Sequence, residues 1–233
     1  MTGFVFRRVR TLDCHFEPRP WDWAERESAR IDAHWATIAA DNPALFDGRV
    51  LVQHRGVFDG DVFRGAYLET RFSRFIAWRD FGFPDPGVRN CFAMAALRSG
   101  DGAWLLGVMG GHTANPGKVY FPAGTPDFDD VVGDRVDLAG SVLRELGEET
   151  GLRPGDVTLA PDWTLIEAGP RVACMRDASV DAPATEIRER ILATLAQEEQ
   201  PELSDIRIVR SLADIDEEAM PAFVSAYLRE RLR

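Results

Sequence analysis

The nine residues Arg144-Glu145-Leu146-Gly147-Glu148-Glu149-Thr150-Gly151-Leu152 constrain this chain more than any other segment. Glu145, Glu148 and Glu149 stand at i, i+3 and i+4, so a helix brings all three carboxylates to one face. Like charges at that spacing repel by roughly 0.2–0.5 kcal/mol per pair. A divalent cation reverses the sign, because Mg²⁺ takes hard oxygen ligands and shares them with phosphate and water. The flanks call for a helix. Leu138, Val142 and Leu146 repeat at four-residue spacing and should face a core. Asp137, with Asp134 as a competitor, is placed to cap the N-terminus. Gly151 suits the left-handed position after the last turn, and Leu152 follows where a hydrophobic contact belongs. The helix is expected from about Leu138 to about Thr150, its acidic face turned away from its apolar one.

The run from Arg144 to Leu152 resembles the second half of the Nudix box: Arg-Glu, an aliphatic residue, any residue, Glu-Glu, any residue, Gly, aliphatic. Members of that family are mostly Mg²⁺-dependent hydrolases of nucleoside diphosphates linked to another moiety. The family also places a Gly-Gly pair after a strand, commonly as Phe-Pro-Gly-Gly. Here Phe121-Pro122-Ala123-Gly124 follows the strand-like Lys118-Val119-Tyr120. Two departures stand out. The common box has a Gly fourteen residues before its Arg, whereas Gly124 lies twenty before Arg144, so Thr125 to Val136 carries about six extra residues. The box also has a Glu eight residues before the Arg, and that position is Val136, with Asp134 and Asp137 on either side. For an arbitrary Glu-rich helix a solvated acidic face would be the better reading. The length of the motif match and the preceding Phe-Pro-Ala-Gly outweigh it here.

A chain of 233 residues accommodates one large domain or two small ones and buries a substantial core. The net charge of -11 argues against nucleic acid as a partner, since phosphate backbones select basic surfaces. It leaves nucleotides open, because a bound metal and a few arginines invert the local field. Met1 to Phe6, followed by Arg7-Arg8, does not read as a signal peptide, and no apolar run reaches the length of a membrane span. Cys14, Cys91 and Cys174 are odd in number and far apart, which fits a reduced, cytoplasmic setting. Each reads as a small buried apolar residue. His15 beside Cys14 does not make a metal site, because adjacent strand residues face opposite ways.

Along the chain, Phe4 to Phe16 is strand-like and ends before Pro18-Arg19-Pro20. One helix is expected from Asp22 or Trp23 to about Ala40, with Ile31, Trp35 and Ile38 at core spacing. Gly48 to His54 and Val62 to Leu68 are expected to pair around Asp59-Gly60. Phe72, Phe75 and Ile76 suggest a short helix, and Phe83-Pro84-Asp85-Pro86-Gly87 marks a boundary. Cys91 to Leu97 and Trp104 to Val108 are paired strands. A polar loop, Gly110 to Gly117, precedes the Phe-Pro-Ala-Gly segment; its His112 is placed to reach a substrate there, although a lone loop histidine is more often only solvated. Trp163 to Glu167 and Val172 to Arg176 form a hairpin, Thr185 to Gln197 a helix, and Ile206 to Val209 a strand. Asp214 with Glu217 resembles a capping box for a last helix carrying Phe223, Val224, Tyr227 and Leu228.

The expected fold class is therefore α/β: a Nudix-like α/β/α sandwich with a mixed sheet over residues 88–233. Residues 1–87 form an N-terminal α+β extension packed on that core. This extension resembles, less specifically, the N-terminal part of the branch that includes UDP-glucose pyrophosphatases. The resemblance implies Glu148 and Glu149 as metal ligands, with Glu145 either a third ligand or the base that orients water. A backbone carbonyl at Ala123 or Gly124 would complete the site, with Mg²⁺ as cofactor and Mn²⁺ as a substitute. Arg144 cannot serve as a base, because a guanidinium stays protonated; its fork would fix a neighbouring Glu. Many members draw a further Glu from a later loop, and Glu199 or Glu202 in Glu198-Glu199-Gln200-Pro201-Glu202 stands in a comparable place; a solvated helix end is an equal reading. Arg171, in the hairpin turn, is a candidate phosphate contact and equally a surface arginine. The implied partner is a small-molecule nucleotide, not nucleic acid or membrane, and a homodimer is compatible with it. The expected activity is Mg²⁺-dependent hydrolysis of a nucleoside diphosphate derivative, a nucleotide sugar among the options. The rival readings are a coenzyme A diphosphatase and a non-catalytic Nudix-like nucleotide-sensing module.

Overall fold

The computed structural model describes residues 3–233 and shows an α/β fold built on two sheets. Strands β1 (Val5–Val9) and β2 (Thr11–Phe16) come first. The single extended stretch expected here breaks at Arg10, and the two strands enter different sheets. Helices α1 (Asp22–Arg26) and α2 (Ser28–Asp41) replace the one helix expected across this region. Glu27 interrupts it, at φ -95° and ψ 9°. The reason is tertiary: Trp21 and Trp23 anchor α1 in an aromatic cluster with Trp78, and the Trp21 indole donates to Asp85 Oδ2 at 2.8 Å.

Strands β3 (Arg49–Asp59) and β4 (Val62–Arg71) form the hairpin expected around Asp59-Gly60. Gly60 takes the left-handed φ of 61° that the turn requires. Helix α3 (Phe72–Asp80) follows, then the antiparallel pair β5 (Asn90–Ser99) and β6 (Trp104–Met109). Short strands β7 (Val119–Tyr120), β8 (Val131–Val132) and β9 (Arg135–Val136) lead into helix α4 (Leu138–Thr150). The chain ends with β10 (Thr158–Leu159), β11 (Trp163–Ala168), β12 (Arg171–Val180), α5 (Ala184–Leu195), β13 (Leu203–Val209) and α6 (Ala222–Arg231).

The larger sheet runs β1-β11-β12-β5-β6-β13, with β10 on β12 and β7 on β6. It is mixed: β12 pairs β5 in parallel and the other pairs are antiparallel. The smaller sheet runs β3-β4-β2-β9-β8. One face of the larger sheet packs α6 through Trp104, Phe121, Phe223 and Tyr227. Its other face shares a core with α4, α5 and the smaller sheet, through Leu97, Leu146, Ile191, Leu51 and Tyr67. Strand periodicity then divides β3: Leu51 faces that core, while Val50 and Val52 face the tryptophan cluster of α1 to α3.

The extra residues before α4 are ordered against the N-terminal strands. Leu51 N donates to the Pro126 carbonyl at 2.7 Å, and His15 pairs with Arg135 across β2 and β9. One expectation fails at the C-terminal end. Asp214 does not cap α6; it closes the 3-10 turn Leu212–Asp214 by accepting from Ser211 N at 2.8 Å. Helix α6 starts only after Pro221, because residues 215–220 run as a loop between the two.

Candidate active site

Helix α4 is fixed at both ends by its own residues. Asp137 Oδ1 accepts from Gly140 N at 3.0 Å, and Gly151 is left-handed at φ 70°. Leu138, Val142 and Leu146 are fully buried in the core. Glu145 and Glu149 are also almost fully buried, at 8% and 3% exposed, while the Glu148 side chain stays 60% exposed. The burial comes from the turn Ala123-Gly124, which lies across the helix. Ala123 N donates to Glu149 Oε1 at 2.9 Å. A methyl on Gly124 would run into the Glu145 carboxylate, so the close approach requires glycine there.

Burial raises Glu145 to about 7; Arg144 opposes this, and Glu148, Asp130 and Glu202 push the same way as burial. Burial likewise holds Glu149 well above the usual carboxylate range, against the Ala123 hydrogen bond and with help from Glu145, Glu202 and Glu148. Glu149 Oε2 is buried without a hydrogen-bond partner. Two acids thus sit together with too little positive charge to ionise both.

Arg144 is the local cation. Its Nη1 lies 2.8 Å from Glu145 Oε1 and 3.1 Å from Glu148 Oε2, and its Nη2 donates to Asp130 Oδ1 at 2.9 Å. Partial burial disfavours its charge, but Asp130, Glu145 and Glu148 more than offset that. Asp130 is 3% exposed and ends the 3-10 turn Phe128–Asp130. Sequence reasoning missed it. The acidic neighbours of Val136 do not pair with Arg144: Asp137 caps α4, Asp134 is 82% exposed near His15, and Val136 is buried in the core. The available signal was the Asp127-Phe128-Asp129-Asp130 run in the extra segment, a short turn with its own cap.

Part of this cluster opens onto a cavity of about 630 Å³. Glu145, Glu148, Arg144, Gly124 and Glu202 line it, as do His112, Arg49 and Phe46. Of the later acidic cluster, Glu202 is on this wall, whereas Glu199 is exposed in the turn after α5. Arg171 is elsewhere: it lines an adjoining cavity of about 550 Å³, which shares Asn115, Tyr120, Ala123, Gly124 and Thr125 with the first. The donor set fits a hard divalent cation, since every candidate ligand is a carboxylate or carbonyl oxygen and one buried carboxylate oxygen is unpartnered. Among the described residues no three acidic, His or Cys side chains already converge on one point.

Helix α4 carries the Nudix-box-like run from Arg144 to Leu152 and packs into the core beneath the mixed sheet. Among solved structures it is similar to a Nudix hydrolase from M. smegmatis, RenU, at 17% identity and TM-score 0.38, over 60% of this chain and 82% of that one. It is likewise similar to a C. elegans Ap4A hydrolase at 16% identity and TM-score 0.41, over 60% and 92% of the two chains. The MutT protein from Methanosarcina mazei Go1 matches at 18% identity and TM-score 0.37, over 61% and 94%. No family model and no curated protein matches the chain.

Proposed function

We propose that this protein is a Mg²⁺-dependent Nudix-type pyrophosphohydrolase acting on a nucleoside diphosphate derivative, with nucleotide sugars the first class to test. The observation that carries this reading is the buried pair Glu145 and Glu149 beneath Ala123-Gly124, with Glu149 Oε2 unpartnered and Glu145 lining an open cavity. Burying two carboxylates together destabilises a fold unless a cation joins them. A chain that keeps them there has a use for that cation. Glu149 and the more exposed Glu148 would hold it, with the Gly124 carbonyl beside them and Glu145 either a third ligand or the base that orients water. When bound, the metal neutralises phosphoryl oxygens and makes water more acidic.

The remaining work falls to the chain's own groups. Where it is not a ligand, Glu145 is positioned to orient water or to accept its proton, held against Gly124 and beside Arg144. Arg144, tied to Asp130, holds the Glu145 carboxylate in one orientation and supplies positive charge beside the diphosphate. Gly124 leaves room for Glu145 and for a substrate oxygen. Glu202 on the opposite wall is a further carboxylate that could reach the metal.

The test is a phosphate-release screen over nucleotide sugars, ADP-ribose, coenzyme A and dinucleoside polyphosphates, with and without Mg²⁺. Release that requires Mg²⁺ supports the reading, and the preferred compound separates nucleotide-sugar from coenzyme A hydrolysis. Binding of these compounds without any release in Mg²⁺ or Mn²⁺ would instead establish a nucleotide-sensing module, the reading that Val136 in place of the box Glu favours.

A further inference from the structure

The cavity adjoining the acidic site has the opposite electrostatic character. In a chain of net charge -11, its charged lining residues are Arg79, Lys118 and Arg171, with no carboxylate among the described residues that line it. None of the three lines the acidic cavity. Lys118 Nζ is engaged by the Glu218 carbonyl at 3.0 Å, and Arg79 Nε by Asp80 Oδ1 at 2.8 Å. Arg171 has no such partner among the described residues. Its guanidinium lies 4.8 Å from the centre of the Phe83 ring, half-buried at the turn between β11 and β12.

Phe83 is held in place to make that contact. It is the one non-glycine residue with a left-handed backbone among those described, at φ 60°. Its N–H donates to the Trp78 carbonyl at 2.8 Å, and its ring packs edge-on against Trp78 with centres 4.7 Å apart. A strained backbone that presents an aromatic face is commonly part of a ligand site. Burial, and then the Arg79 charge, disfavour the protonated form of Arg171. A cation half-removed from water, beside a like charge and with no counterion, is unfavourable unless something negative arrives.

We propose that Arg79 and Arg171, with Phe83, form a second anion site, which receives a phosphate or carboxylate carried by the substrate at the end remote from the scissile diphosphate. The site deepens the hydrolase reading and rests on it for the word substrate. The diphosphate itself belongs over Glu145 and Glu149, in the other cavity. Asn115, Tyr120, Ala123, Gly124 and Thr125 line both cavities, so the two adjoin and an extended ligand would reach from one to the other across this shared rim. An arginine pair binds such an anion through forked, charge-assisted hydrogen bonds, and the Phe83, Phe92 and Phe223 rings cover the organic part next to it. The substrate class is then a nucleoside diphosphate derivative bearing one additional negative group.

The test uses the full chain in EDTA, where no turnover occurs, and phenyl phosphate as a probe that joins a ring to a dianion. Calorimetric titrations compare it with inorganic phosphate and with phenol. Wild-type protein should bind phenyl phosphate at least about tenfold more tightly than either. Arg171→Gln and Arg79→Gln should each lose about tenfold, with Arg171→Lys in between, since lysine keeps the charge but not the fork. Should the glutamine variants fail to fold, the wild-type protein still decides. Added NaCl must weaken phenyl phosphate by about tenfold while leaving phenol unchanged. Equal binding of phenyl phosphate and phenol, or glutamine variants that bind as wild type does, would overturn the proposal. Because the readout is metal-free binding, it fails or succeeds independently of the phosphate-release screen.

Discussion

Arg144 Nη2 and Asp130 Oδ1 are 2.9 Å apart, across the fourteen residues that separate them in sequence. The pair joins the first residue of the acidic motif to the end of a turn inside the extra segment before α4. Asp130 is buried, and it also accepts from Asp127 N at 3.1 Å, so its carboxylate is fixed on two sides. The positive charge beside Glu145 is therefore held by a residue outside the motif's usual positions.

Replacing Asp130 by Asn keeps its shape and removes its charge. Arg144 would then be left to Glu145 and Glu148 alone. We expect a loss of about 1–2 kcal/mol in denaturant unfolding, a fall in kcat of about tenfold and an altered Mg²⁺ titration. Asp134→Asn should change none of these, because its carboxylate is 82% exposed at the far side of His15. Asp137→Ala should lower stability by about 1 kcal/mol through the lost helix cap, with an unchanged Mg²⁺ titration. An Asp134 variant that shifts the metal titration while the Asp130 variant does not would reverse these assignments.

Glu149→Gln should abolish metal dependence. Its carboxylate carries the unpartnered buried oxygen, so the neutral amide removes a ligand and relieves charge at once. Turnover should fall by about a thousandfold or more. Mg²⁺ should raise the Tm of the wild-type protein but not of the variant, and the metal-free variant should be no less stable than wild type. Near wild-type turnover with an unchanged circular dichroism spectrum would remove Glu149 from the site.

Gly124→Ala probes the same place from the other side. Its methyl collides with the Glu145 carboxylate and must push it off the turn. Activity should drop by about a hundredfold, in line with the effect of roughly 1 Å of misplacement at a reacting centre. Stability should change little, since Gly124 does not take a left-handed backbone conformation. Full activity in this variant would show that Glu145 need not lie against the turn.

His54 gives the fold a pH dependence of its own. Its Nε2 is buried without a hydrogen bond, 3.6 Å from Glu17 Oε2. Burial, and then Arg19, hold its pKa below the ordinary value, with Glu17 opposing. The folded protein therefore binds a proton less readily than the unfolded chain. The stability that neutral His54 contributes is complete above the unfolded value of about 6.5 and is lost as pH falls below it. Denaturant midpoints measured from about pH 8 to about pH 5 should fall more steeply for wild type than for His54→Gln. Parallel curves would show that His54 is not responsible.

A truncation starting at about Pro86 tests what the N-terminal segment contributes. It removes β1 from the edge of the larger sheet and the partners of β9 and Pro126 in the smaller one. It also removes Phe75, Arg79 and Phe83 from the second cavity and Arg49, Phe46 and Phe72 from the first. We expect aggregation, because the face formed by Leu51, Phe63 and Tyr67 no longer covers the core. A soluble remainder with the same substrate ranking would show that residues 1–87 neither complete the fold nor wall the site.

The sequence by itself determined helix α4 and the grouping of its carboxylates. Caps, apolar spacing and carboxylate spacing are all local, so Asp137, Gly151 and the Glu145, Glu148, Glu149 face could be read from residues within a few turns of one another. The hairpins at Asp59-Gly60 and Gly169-Pro170 were legible for the same reason. Only the tertiary structure decided what lies over that face. The burial of Glu145 and Glu149 comes from a turn more than twenty residues upstream, and the Arg144 partner from an inserted loop. The break in the first helix and the separation of β1 from β2 follow from the tryptophan cluster and the two sheets competing for the chain. The meeting of Arg79, Phe83 and Arg171 joins two segments nearly ninety residues apart. Periodicity and capping act over one or two turns, whereas desolvation and charge pairing depend on which distant segments close over a site; the first leaves a pattern in the sequence and the second does not.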